Sequence, residues 1–294
     1  MHRLARLLQE IGTMNKMAQN LNTDLIDLLD SARSFSTNDQ IQALLNRVTI
    51  SSPDDIHDAA ISLYEITTEL QLRVAVTADI SSTEAMVDAE GNSLNGEVFG
   101  WLADGERWWE DKNLALSSPL PRACRYEAEP FWVNKDGFKG NWRNEYLEEI
   151  DLHEFQQRSL VPAAIVVPVH QPFAQIGVVT FTPIDKSIED LSDLFIQYGE
   201  LLAIMARRFV CGYTVAMRSA RRLIPSDCDL TKREVECLSW AAIGKTDREI
   251  AMILELSPAT VRYHMIRAGE RLNSVNRGQA IFKAGQLGYL GASA

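Results

Sequence analysis

The chain has 294 residues, 46% of them hydrophobic and 23% charged, a composition and length that suit an ordinary globular protein with room for two domains. Its net charge of −11 is unevenly spread, with −15 over the first 214 residues and +4 from Val215 to the end, so only the tail suits a polyanionic partner. The four cysteines, Cys124, Cys211, Cys228 and Cys237, form no C-x-x-C pair and share no metal spacing with the five dispersed histidines. That excludes a recognisable zinc site and fits free thiols in a reducing cytoplasm.

Residues 1–35 carry Leu4, Leu7, Ile11, Met14, Ala18, Leu21, Leu25, Leu28, Ala32 and Phe35 at alternating spacings of three and four. This is the a/d seam of a coiled coil and predicts a helical extension, residues 1–50, that dimerises the chain or packs on its own domain. The first residues, with His2, Arg3 and Arg6 ahead of an amphipathic run, do not read as a secretory signal. A short helix is expected over 39–47 and a second over 54–70, with Ile56, Ala60, Leu63, Ile66 and Leu70 inward. Residues 71–80 read as a strand, and residues 88–96 as a turn-rich loop.

Five of the six tryptophans (Trp101, Trp108, Trp109, Trp132 and Trp142) fall between 101 and 142, with Tyr126, Phe131, Phe138 and Tyr146 among them. Aromatic clustering is also what an ordinary core shows. Interleaved Ser117, Ser118, Arg122, Arg125 and Asn134 favour a pocket, because small-molecule sites combine apolar walls with a few aimed polar groups. Trp101, Trp109, Ser118, Tyr126 and Trp132 are the candidate ligand-binding residues. Two β-branched runs, 165–169 and 176–181, predict strands joined by a proline-containing turn, and a long amphipathic helix follows over 189–215. Pro162, Pro168 and Pro172 interrupt this most apolar region, which argues against a membrane span. Arg218, Arg221, Arg222 and Pro225 mark a basic linker over 215–229.

Beyond it the signals are local and strong. Thr231 and Thr246 each precede a glutamate by three residues, the capping-box spacing; Ser257-Pro258 is a third helix start, and Asn276 with Gln279 a fourth. Gly244 and Gly288 sit where helix ends need a left-handed residue. Four helices result, at about 231–242, 246–254, 258–272 and 276–287, the middle two joined by so tight a turn that they read as a helix-turn-helix. On the third, Val261, Met265, Ala268 and Leu272 form a buried stripe. Ala259, Arg262, Tyr263 and Ile266, with Arg267 beside them, face the other way and can enter a major groove.

This segment resembles the LuxR-type DNA-binding domain over about 60 residues. The residues that carry the resemblance are Leu230, Thr231, Arg233, Glu234, Leu238, Gly244, Glu249, Ile250, Ala251, Leu256, Ser257, Thr260, Val261, His264, Leu272, Asn276, Arg277 and Ala280. It implies that Arg262, Tyr263 and Ile266 lie against base edges and Thr260 by the phosphates, with His264 part of the domain's structure. Ile266 departs from the basic residue often found there, which points to contact with a thymine methyl.

Residues 54–214 are similar, more distantly, to the autoinducer-binding domain that precedes such tails. Trp109 falls where that family has a pocket aromatic, Ser118-Pro119 aligns with its Asp-Pro, Pro130-Phe131 with Trp132 corresponds to its Pro-Phe-x-Trp, and residues 164–168 align with its glycine-containing strand ending in proline. Serine at 118 lacks the aspartate's charge and Ala164 replaces a glycine, so the effector expected is hydrophobic or aromatic rather than an ordinary acyl-homoserine lactone.

The expected fold class is α+β: an α-β-α sandwich over 51–214 behind the helical extension, then an all-α four-helix helix-turn-helix domain over 230–294. The expected function is a cytoplasmic, homodimeric, sequence-specific transcriptional regulator. Thr260, Arg262, Tyr263, Ile266 and Arg267 meet double-stranded DNA, and a hydrophobic small molecule sits in the front domain. RNA polymerase is a further candidate partner; no membrane, metal or cofactor is called for. The alternative is a ligand-independent regulator controlled by a protein docked on the N-terminal helix or acidic face. An enzyme is not expected, since no nucleophile elbow, Cys/His pair or phosphate-cradling loop is present.

Overall fold

A computed structural model describes residues 38–82, 84–104, 116–217 and 228–291. The coiled-coil seam, Trp108, Trp109 and the basic residues of the linker lie outside the described residues. The chain divides into two compact units, Met1–Val169 with Ile176–Met217, and His170–Gln175 with Arg218–Ala294.

The first unit opens with α1 (Asn38–Arg47) and α2 (Ile56–Glu69), the latter led in by a single 3-10 turn at Pro53–Asp55. A sheet is built from β1 (Leu72–Thr77), β2 (Phe131–Asn134), β3 (Gly137–Gly140), β4 (Ala163–Gln171) and β5 (Gln175–Pro183), in the order β1-β5-β4-β2-β3. Short helices α3 (Pro119–Ala123), α4 (Glu145–Glu148) and α5 (Phe155–Ser159) and the long α6 (Ser192–Ala216) complete it.

Strand alternation sorts the side chains onto two faces. Val74 and Val76, Trp132, Ile165 and Val167, and Val179 and Phe181 join a core with α2 and α6. Phe131 and Val133, Ala164 and Val166, and Val178 point the other way, onto α3, α4 and α5. Helices therefore cover both faces, the expected sandwich. On α6, Leu202, Ala206, Phe209 and Tyr213 repeat at helical spacing on the buried side, and burying each large one contributes roughly 1.5–3 kcal/mol. Gly212 is required where α6 meets the chain after α1, because a Cβ there would lie 2.7 Å from the Ile50 carbonyl oxygen.

The β2–β3 hairpin is absent from the sequence reading. Its strands have four residues each, too few for alternation to stand out, and Lys135-Asp136 makes the turn with the Asp136 N–H donating to Asn134 Oδ1 at 2.9 Å. The loop read as turn-rich at 88–96 is organised by one carboxylate. Asp88, its side chain fully buried, accepts from the Glu90 and Asn92 N–H groups, the Asn92 amide and His57 Nδ1, all within 3.1 Å. Burial alone would raise its pKa; the hydrogen bonds from Asn92, His57 and Glu90 outweigh this and hold it below the ordinary carboxylate value.

The second unit contains α7 (Lys232–Ala242), α8 (Asp247–Ile253), α9 (Pro258–Arg271) and α10 (Arg277–Gln286). Every start lies where the capping signals place it. Thr231 and Thr246 close reciprocal boxes with Glu234 and Glu249, Ser257 Oγ accepts from the Thr260 N–H at 3.0 Å, and Asn276 Oδ1 accepts from the Gln279 N–H at 2.8 Å. Gly244 and Gly288, at φ of 93° and 77°, end α7 and α10, and Glu255 and Asn273 adopt the same left-handed conformation after α8 and α9.

Candidate nucleic-acid interface and ligand cavity

Helix α9 is anchored by its inner face. Val261, Ala268 and Leu272 are fully buried, and Met265 packs against both clusters of the unit. The outer face is open, with Tyr263 59% and Ile266 55% exposed and the Arg262 side chain 69% exposed. Thr260 is half-buried at the N-terminal end, where its Oγ1 lies 2.8 Å from Ser257 Oγ. Arg267, also exposed, pairs with Glu270 at 2.7 Å. The far end of the helix is fastened by the buried Lys283, whose ammonium donates to the carbonyls of Leu272 (3.1 Å) and Asn273 (2.7 Å). A rigid helix with a narrow exposed strip of arginine, tyrosine and isoleucine is a shape a major groove admits.

In the first unit a cavity of about 110 Å³ lies against the sheet face carrying Ala75, Thr77, Val178, Thr180 and Thr182. Met86, Trp101, Ser118, Leu120, Leu160 and Val161 complete much of its wall. Most polar groups in the wall are already engaged. Asn95 bridges the N–H and C=O of Val76 at 2.9 and 2.8 Å, and Arg158 is spent on the carbonyls of Ser117, Asp151 and His153. The Trp101 indole N–H donates to the Val74 carbonyl at 2.7 Å, beneath the Arg73 guanidinium at 3.7 Å from the ring. Ser118 caps α3, its Oγ accepting weakly from the Leu120 N–H at 3.4 Å. Its proton, and the hydroxyls of Thr180 and Thr182, remain for a ligand among the described residues.

Residues 229–284 match the family model described as bacterial regulatory proteins, luxR family. The chain is 35% identical to the transcriptional activator AhyR of Aeromonas hydrophila over 181 residues, 60% of this chain and 66% of that protein. The C-terminal segment is therefore a LuxR-family helix-turn-helix domain. It is also 28% identical to the transcriptional activator LuxR of Aliivibrio fischeri over 200 residues, 68% of this chain and 75% of that protein. The chain spans from about half to two thirds of the length of the first curated relatives it matches. A crystal structure of Escherichia coli SdiA aligns over 85% of this chain and 97% of that one, with a TM-score of 0.43 and 18% identity. AhyR and LuxR are both named as transcriptional activators.

Of the residues proposed from sequence to hold a ligand, Trp101 and Ser118 line the cavity. Trp132 and Tyr126 do not. Trp132 sits opposite Ile165 on the sheet face turned to α2 and α6, one residue out of phase with Phe131 and Val133. Tyr126 is exposed and stacks on Tyr146 at 5.6 Å. Trp109 lies outside the described residues, and Trp142 is exposed. Sequence reasoning missed Asn95, Thr180 and Thr182. The Val-Thr-Phe-Thr run carried the signal for the threonines, since hydroxyls alternate there with core residues. Among the described residues no group of three or more His, Cys, Asp or Glu can hold a metal ion, and no helix is long and apolar enough to cross a membrane.

Proposed function

We propose that the chain is a sequence-specific DNA-binding transcriptional regulator of the LuxR family, acting as a homodimer in the cytoplasm. Residues 230–294 read DNA, residues 51–214 sense a small molecule, and residues 215–229 link them. Arg262 meets a guanine edge, Tyr263 and Ile266 contact neighbouring bases, and Thr260 and Arg267 flank them on the backbone. The observation that carries this reading is α9 itself, capped, buried along one side and exposed at Arg262, Tyr263 and Ile266 on the other. The test is selection of random duplexes by the full chain, followed by footprinting. Arg262→Ala should cost roughly 1–3 kcal/mol on the selected site, and an unchanged footprint would overturn the assignment.

The effector is an uncharged, largely apolar molecule that presents a carbonyl or hydroxyl oxygen to Ser118, Thr180 or Thr182. A carboxylate at 118 would accept a hydrogen bond; the serine hydroxyl, already accepting from its own helix, donates one. Such a ligand biases DNA affinity only through its preference for the DNA-competent arrangement. The cavity's modest volume, near the ~150 Å³ that holds a benzene-sized molecule, also favours a second reading. In it the pocket stays empty and a protein partner, RNA polymerase or another, sets the activity. Native mass spectrometry of the purified chain separates the two: a retained small molecule supports the first, and a bare mass with no thermal shift from apolar ligands supports the second.

A further inference from the structure

The base-reading strip on α9 does not stand alone. Asp247, the first residue of α8, places one carboxylate between guanidiniums from two other helices. Arg277, at the start of α10, holds Oδ1 through Nη1 at 2.5 Å while its Nη2 donates to the Lys245 carbonyl at 2.7 Å. Arg262 approaches Oδ2 with Nε at 3.8 Å. The two contacts are unequal for a physical reason. Arg277 is a cation in the first turn of a helix, an unfavourable position that a neighbouring carboxylate offsets, so it takes the tight contact. Arg262 gets the longer one and keeps its 69% exposure.

We infer that Asp247 is a positioning and specificity-determining residue for DNA recognition: pinned by Arg277, it faces the Nε side of Arg262 and leaves the paired Nη groups to the base. This rests on the reading of Arg262 as a base contact. A guanidinium offers five N–H groups in a planar fork, and a guanine edge accepts two of them. With Nε turned to a carboxylate, the end of the fork is presented outward and the number of competing orientations falls. The same carboxylate repels phosphate, which weakens binding to any duplex, while the bidentate contact on the right one offsets that loss. Asp247 thus raises the ratio of specific to non-specific affinity. The other acidic groups near this surface act elsewhere: Glu249 closes the Thr246 cap and approaches Lys245, and Glu270 pairs with Arg267 within α9.

The test uses the full chain with two probes, a duplex selected by the parent from random sequence and a scrambled duplex of equal length and composition. Asp247→Asn is expected to bind the scrambled duplex more tightly and to lower the affinity ratio by roughly two- to fivefold, the range for a partly exposed charge pair. The change in ratio should vanish when Arg262 is already lysine, which has no fork to orient, while the tighter binding to both duplexes persists. Partial loss of fold lowers the active fraction on both probes alike and cancels in the ratio. If Asp247→Asn yields no folded protein, Asp247→Glu keeps an anion for Arg277 but displaces it from Arg262, and a lowered ratio is again expected. A parental ratio in the variant measured, or an equal change with lysine at 262, overturns the inference alone, provided Arg262→Ala weakens specific binding. If Arg262→Ala changes nothing, or selection enriches no sequence, the base-reading assignment falls and takes this inference with it.

Discussion

Lys283→Met tests how the far end of α9 is held. The lysine is 8% exposed and its ammonium donates to the carbonyls of Leu272 and Asn273, closing the helix where its dipole is negative. Methionine keeps most of the apolar stem and removes the donors. Asn273 is exposed and its carbonyl regains water, whereas Leu272 is fully buried and is left with the Ser274 hydroxyl at 3.5 Å, the limit of a useful contact. The loss is therefore dominated by one buried carbonyl, at roughly 1–3 kcal/mol. Relief from desolvating the ammonium offsets part of the second hydrogen bond, leaving an expected net cost of about 2 kcal/mol. For a unit of this size each kcal/mol moves the midpoint by roughly 4–8 °C, so the C-terminal transition of the full chain should fall by roughly 8–16 °C in calorimetry. Lys232→Met, at a side chain 89% exposed, is the control and should barely move it. A Lys283→Met midpoint within about 2 °C of the parent would show that water serves the Leu272 carbonyl as well as the ammonium does.

Gly212→Ala should destabilise the first unit by roughly 1–2 kcal/mol despite alanine's better helix propensity, because the new Cβ meets Ile50 backbone that cannot rotate away; urea midpoints read it, and a stabilised variant would refute the contact. Asp88, whose pKa is lowered in the folded state, contributes stability above the ordinary carboxylate range that is lost as pH falls through the folded value. The stability gap between the parent and Asp88→Asn should hold steady near neutrality and shrink below about pH 4, and a gap that widens in acid would contradict the assignment.

The residues themselves determined what depends on near neighbours. Thr231 with Glu234, Thr246 with Glu249, Ser257-Pro258 and Gly244 act over three or four residues, so the four C-terminal helices and the exposed side of α9 could be read before any coordinates. The family resemblance rests on those same positions. The cavity was only partly legible, because it is assembled from β1, the Asp88 loop, α3, α5 and β5, and no spacing announces which side chains converge. Trp132 shows why composition misleads there: a one-residue phase along a strand decides which face it serves, and pairing with β4 decided that. The assignment of the Trp101 indole to a backbone carbonyl, and of one Asp247 carboxylate to arginines of two other helices, likewise waited on tertiary structure, since each joins residues whose distance in sequence says nothing of their distance in space.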